Sequence, residues 1–208
     1  MNRSRPAGAG GGEMAETLIA PVQAPRILPP RPSQFLRDWF ARCPSDQFLE
    51  LRAIHAATKR VTQDFFALDA IDDLVGRAFS LVDEYDCFFG VCPRTRPKGD
   101  AASVTHAPGF FCDLDWKRFS EGEAGALRAL AEFPLRPSWI IATGGGYHVY
   151  WRLKTPIRAD ASFEARLKAL ARILDADPAA TDRARVLRVP GTWHSKRDFQ
   201  VRILSWPT

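Results

Sequence analysis

The 208-residue sequence lacks any apolar run approaching the roughly 18 residues that span a bilayer. Its N-terminus also has no apolar secretory core. A cytoplasmic protein that makes no use of a membrane is therefore expected. Cysteine is scarce, with Cys43, Cys87, Cys92 and Cys112 only, and no Cys-x2-Cys knuckle occurs. Cys87 and Cys92 could be joined with His106 and Cys112 into a zinc site. However, Cys87 and Cys112 lie inside apolar, strand-like runs, so the reading is buried free thiols in a reducing compartment. Acidic excess is lacking too: 29 Lys and Arg against 24 Asp and Glu leave a net charge of +5. That balance leans toward a polyanionic partner. No internal repeat is present.

What remains is the composition of an ordinary globular chain, 46% hydrophobic and 25% charged, long enough for one domain with a sizeable core. Residues 1–33 carry Gly8 to Gly12 in a GAGGG run, then Pro21, Pro25, Pro29, Pro30 and Pro32. Such a segment buries too little apolar surface to offset its ordering entropy, and a disordered tail is expected ahead of a domain over 34–208. Ser33 is expected to cap a short helix carrying Phe35, Leu36, Trp39 and Phe40. Strands are expected at 47–54, 87–92, 138–142, 147–153, 184–189 and 199–205, with a turn or strand pair between Lys59 and Leu68. Helices are expected from Asp69 to about Tyr85, over 118–132 and over 160–175 with Asp160 as cap. Strands mixed with helices and joined by a tight hairpin predict an α+β fold, an antiparallel or mixed sheet with helices on one face.

Three clusters carry chemistry. In Phe110-Phe111-Cys112-Asp113-Leu114-Asp115-Trp116, strand alternation puts Phe111, Asp113 and Asp115 on one face. Paired carboxylates repel unless a cation lies between them. Mg²⁺ and Mn²⁺ take oxygen ligands of this kind together with substrate phosphates. Alone, the pair also fits a strand running out into solvent. The second cluster, Thr143-Gly144-Gly145-Gly146-Tyr147-His148, is a glycine turn that lets backbone N–H groups and a histidine approach an anion, or is simply a tight turn. The third, Asp177, Asp182, Arg185, Arg188, Pro190-Gly191-Thr192 and Lys196, is a set of cations behind an acid, or else a salt-bridged surface. The loop Pro93–Gly99, with Arg94, Arg96 and Lys98, is either a solvated turn or a nucleic-acid phosphate contact.

In this order, FFCDLDW, ATGGGYHVYW and DPAATDRARVLRVPGTWHSK resemble the archaeo-eukaryotic primase (AEP) superfamily, nearest to plasmid-replication primases and primase-polymerases. The likeness covers about residues 86–204. QFLELRAI and CFFGVCPR look like the family's N-terminal module. The resemblance implies an AEP catalytic core with an RRM-like antiparallel or mixed sheet flanked by helices, plus an N-terminal α/β module. It implies two Mg²⁺ or Mn²⁺ ions on Asp113, Asp115 and a third acid. That acid is Asp177, eight residues before Arg185 and eleven before Arg188, with Asp182 as the alternative. It further implies that His148, Thr143 and Gly145 meet a nucleoside triphosphate, and that Arg185, Arg188 and Lys196 bind phosphates. His194 replaces an asparagine-like family position, so no role carries over to it. The implied activity is DNA primase or primase-polymerase on single-stranded DNA with NTP or dNTP, alongside a helicase or a primer-handling helical domain in trans. The alternative is a non-catalytic replication initiation protein on the same fold.

Overall fold

A computed structural model describes residues 26–27 and 31–205. The elements run β1 (Arg26–Ile27), α1 (Pro32–Phe40), β2 (Phe48–His55), β3 (Val61–Ala67), α2 (Ile71–Phe79) and β4 (Tyr85–Gly90). They continue with β5 (His106–Asp115), α3 (Glu123–Glu132), β6 (Trp139–Ala142), β7 (Gly146–Arg158) and α4 (Ala161–Ile173). The chain closes with β8 (Val186–Arg188), β9 (Trp193–His194), β10 (Phe199–Gln200) and β11 (Arg202–Ser205). One sheet has the order β1-β11-β6-β7-β5, a second has β3-β2-β4-β8, and β9 and β10 form a ribbon. Every strand pair is antiparallel. The α+β expectation holds.

Strand alternation gives the first sheet two apolar faces. One presents Phe111, Ile141 and Tyr150 to a core shared with Leu51, Cys87, Phe89 and Leu187 of the second sheet. Helix α1 wedges into this core because Phe35, Leu36, Trp39 and Phe40 recur at one-turn spacing and form a single stripe. Each such burial is worth roughly 1.5–3 kcal/mol. The Trp39 indole N–H donates to the Val91 carbonyl at 2.8 Å, and Phe35 and Trp39 both meet Tyr150 edge-on. The other face, with Cys112, Leu114, Val149 and Ile140, is covered by Ala126 and Leu130 of α3 and by Ala171 and Leu174 at the end of α4. Among the described residues, no helix is long and apolar enough to cross a membrane.

Several boundaries differ from expectation. Helix α1 starts at Pro32, whose fixed φ suits a first turn, and Arg31 rather than Ser33 occupies the cap position. Helix α2 ends at Phe79, because the chain must turn through 80–84 to pair Tyr85 with His55. Helix α3 begins only at Glu123, since Gly122 stands at φ +57° and residues 116–118 form a separate 3-10 turn. The strand expected over 199–205 divides at Val201, whose N–H bonds to Thr192 and whose carbonyl takes the N–H of Gly191. Asp160 does cap α4, accepting from the N–H groups of Ser162 and Phe163. Within the segment read as a disordered tail, Arg26–Ile27 pairs with β11. Residues 31–33 of that segment are also ordered, as the cap and first turn of α1, and residues 1–25 and 28–30 lie outside the described residues.

Candidate active site

The last residues of β5 place Asp113 and Asp115 on the same sheet face as the buried Phe111. In the β5–β7 register Asp113 stands opposite His148 and Asp115 opposite Gly146. Between the sheets is a cleft of about 250 Å³, lined by Asp113, Asp115, His148 and Thr143 from the first sheet. Phe88, Arg185 and Arg188 line it from the side of the second.

Burial first, then the negative charges of Asp115 and Asp177, push the Asp113 carboxyl up to about 7, although Arg185 and Arg188 pull the other way. His148 goes in the opposite direction, to about 3, through burial and then the nearby Arg188 and His194. Its Nε2 is 3.9 Å from Asp113 Oδ1, beyond hydrogen-bond reach. Its Nδ1 is buried and has no hydrogen-bond partner among the described residues. Both shifts favour neutral groups over an ion pair, as expected where desolvation outweighs attraction.

Between β6 and β7 the glycine turn is closed by the N–H and hydroxyl of Thr143, which both donate to the Gly146 carbonyl at 3.0 and 3.1 Å. Gly144 has φ +82°. A Cβ on Gly146 would stand 2.1 Å from the Leu114 carbonyl oxygen. The glycines therefore serve both a left-handed turn and the close approach of β7 to β5.

The Asp177 N–H donates to the Asp113 carbonyl at 2.8 Å, which pins the chain after α4 against the end of β5. Its carboxylate caps the following turn through the Ala179 N–H at 2.9 Å. Asp182 instead forms an ion pair with Arg185 at 2.6 Å. Of the two alternatives, Asp177 is the acid whose charge bears on Asp113. It is not itself among the cleft-lining side chains. Among the described residues, no three His, Cys, Asp or Glu side chains come close enough to cage an ion on their own.

Residues 99–203 match the family described as the RepB DNA-primase N-terminal domain. The chain belongs to this family. No curated protein matches it. Among solved structures it is similar to the AEP domain of the cyanophage S-2L primase-polymerase (PrimPol). There the identity is 15% and the TM-score 0.62, over 84% of this chain and 88% of that one. It is also similar to the catalytic domain of primase RepB′ in complex with initiator DNA, at 15% identity and TM-score 0.56, over 83% of this chain and 84% of that one. Against a longer structure of primase RepB′ the identity is 14% and the TM-score 0.55, over 86% of this chain but 56% of that one. At these identities the likeness is one of fold, that of the archaeo-eukaryotic primases.

In this RepB-family domain the structure brings the first two clusters together with Arg185 and Arg188 of the third. It leaves other expected residues outside. Arg94 is fully buried: its guanidinium forms an ion pair with Glu50 at 2.5 Å and donates to the carbonyls of Cys92 and Ala184. It is unavailable to nucleic acid. Arg96 and Lys98 are exposed, pair with Asp100 at 3.6 and 2.9 Å, and do not line the cleft. Lys196 is also exposed and outside the cleft, and Arg197 lines it instead.

Two further residues bear on the site without having been given a role from the sequence, Asp86 through Arg188 and His194 in the cleft lining itself. Asp86 is buried and accepts from Arg188 at 2.7 Å and from the Ser195 N–H and hydroxyl at 2.9 and 2.7 Å. Those bonds hold its carboxyl below the usual range despite burial. It joins β8 to the turn after β9. The sequence signal was an acid inside the apolar run Tyr85–Gly90. His194 lines the cleft, and its Nδ1 lies 2.7 Å from the Thr143 carbonyl. A carbonyl can only accept, so Nδ1 carries the hydrogen.

Proposed function

We propose that this chain is a metal-dependent nucleotidyltransferase, a DNA primase or primase-polymerase that starts or extends oligonucleotides on single-stranded DNA, with residues 34–208 as its catalytic domain. The observation that carries the reading is the convergence of Asp113 and Asp115 with Arg185 and Arg188 in one cleft of a RepB-family domain. Its membership of that family and its AEP fold support the same activity class.

The residues present fit divalent ions. Asp113 is raised to about 7 by burial and by two neighbouring carboxylates, so its anion is under-compensated within the protein. The donor set is oxygen only, which suits Mg²⁺ or Mn²⁺. Such ions are held by one or two carboxylates plus substrate phosphates, so a complete protein cage is not required. Asp113 and Asp115 would hold them, with Asp177 as the third acid. When bound, the two ions would lower the pKa of the attacking 3′-hydroxyl and neutralise the leaving pyrophosphate.

The protein's own groups do the rest by position and charge. A neutral His148 can donate one hydrogen bond to a phosphate oxygen. Arg188 is fixed by Asp86 and lies 4.7 Å over the Phe88 ring, so its guanidinium is already oriented toward the cleft. The glycine turn keeps side-chain bulk out of the anion's path. The primase RepB′ relative was solved with initiator DNA, and single-stranded DNA is the template proposed here.

Incorporation of labelled nucleotide on single-stranded DNA, in Mg²⁺ and in Mn²⁺, with and without a primer, tests the reading. Product without primer marks a primase, and product only with primer marks a polymerase domain. No product under any condition, with DNA binding intact, would replace the proposal with a non-catalytic replication protein on this fold.

A further inference from the structure

We propose that Arg197 is the cleft cation that takes the phosphates of the incoming nucleotide, an inference that rests on the nucleotidyl-transfer reading above. Three arginines line the cleft. Arg185 is paired with Asp182 at 2.6 Å and also donates to the Ala179 carbonyl. Arg188 is paired with Asp86 at 2.7 Å, covers Phe88, and is only 12% exposed. A phosphate approaching either must share the guanidinium with a fixed carboxylate. Their net field on a polyanion is correspondingly reduced.

Arg197 differs on each count. It forms no ion pair or hydrogen bond among the described residues, and it is exposed. Its guanidinium rests across the glycine turn: a Cβ on Gly145 would stand 2.9 Å from its Nε and 3.1 Å from Cζ and Nη2. Gly145 is not at positive φ, so the missing side chain is needed for space and not for backbone conformation. The residue to which the family resemblance gives a phosphate-binding role, Lys196, is one position away and outside the cleft. Arginine suits the task better than a lysine, because its planar fork can hold two phosphate oxygens at once.

Binding separates the alternatives without requiring turnover. A non-hydrolysable nucleoside triphosphate with Mn²⁺ would be titrated calorimetrically into the full chain, and a single-stranded oligonucleotide would be followed by anisotropy at several salt concentrations. Arg197→Ala should weaken nucleotide binding about 10- to 100-fold, the range for a hydrogen bond to a charged group, and leave DNA affinity within twofold. Gly145→Ala should displace the guanidinium and cause a similar loss. In the Arg197→Ala background the same glycine substitution should add little. An equal loss from Gly145→Ala in both backgrounds would overturn the seat on the turn. Loss of DNA affinity with a salt slope lower by about one, at unchanged nucleotide affinity, would assign Arg197 to the nucleic-acid backbone and overturn the nucleotide assignment. Nucleotide binding unchanged in Arg197→Ala but lost in Lys196→Ala would also overturn it. A wild type that binds neither ligand would instead remove the nucleotidyl-transfer reading itself.

Discussion

Replacing Asp113 by Asn removes a charge that the metal-free fold holds at a cost. The Asp113 carboxyl lies near 7 in the folded chain against 3.8 for an ordinary aspartate, a rise of about 3 units. At about 1.4 kcal/mol per unit this corresponds to about 4 kcal/mol at most. The carboxylate is 28% exposed, so solvent screening reduces the expected gain to about 1–3 kcal/mol. The sign follows from linkage. Asp113 does not oppose folding below pH 3.8, where it is protonated in both states, and stability is lost as pH rises through about 7. His148 acts in reverse: lowered from 6.5 to about 3, it favours the fold above pH 6.5, and that contribution is lost as pH falls toward 3. Between pH 4 and 6.5 the two slopes oppose, and the wild-type curve is flattened. Asp113→Asn removes only the first slope. Urea unfolding followed by tryptophan fluorescence in EDTA should therefore show little difference at pH 4 and a variant more stable by 1–3 kcal/mol at pH 8. Excess Mn²⁺ with nucleotide should stabilise only the wild type and reverse that order. A variant less stable than wild type at pH 8 in EDTA, or a difference independent of pH, would refute the reasoning.

Other substitutions probe separate parts of the account. Arg94→Ala should destabilise by about 3–5 kcal/mol in urea titrations, because it strands the buried Glu50; a stable variant defective only in DNA binding would contradict the structural assignment. Asp177→Asn should abolish nucleotide incorporation while Asp182→Asn, which frees Arg185 from its ion pair, should retain it within about tenfold; the reverse result would move the third acid. His148→Ala should raise the nucleotide KM with a smaller effect on kcat, and an unchanged KM would remove it from the phosphate site. Gly146→Ala should lower the thermal midpoint by several degrees, since a Cβ there meets the Leu114 carbonyl.

Most of this arrangement was legible because it is written in periodicity and short spacing. Alternation alone assigned Phe111, Asp113 and Asp115 to one face; His148 was joined to them by the family resemblance, and the β5–β7 register that sets it opposite Asp113 is not written in any local pattern. Asp160 was readable as a cap because its bonds span only two and three residues. Long-range partners were not legible. Arg94 lies in a basic loop that reads as exposed, yet Glu50, 44 residues away, buries it. Asp86 meets Ser195 across 109 residues, and nothing local marks either as a partner. Lys196 and Arg197 are adjacent in sequence, and only the turn after β9 decides which side chain enters the cleft. Helix ends shifted where glycine geometry or a strand partner overrode the apolar pattern, at Gly122 and Tyr85.

The central claim is that one cleft gathers carboxylates for divalent ions and arginines for phosphates. Mn²⁺ binding, followed by electron paramagnetic resonance at pH 8 with a non-hydrolysable nucleoside triphosphate, tests it most directly in the wild type and in the Asp113→Asn/Asp115→Asn double variant. The account predicts nucleotide-promoted Mn²⁺ binding in the wild type and its loss in a folded double variant. Equal Mn²⁺ binding by both proteins, beyond that of the free nucleotide, would contradict it.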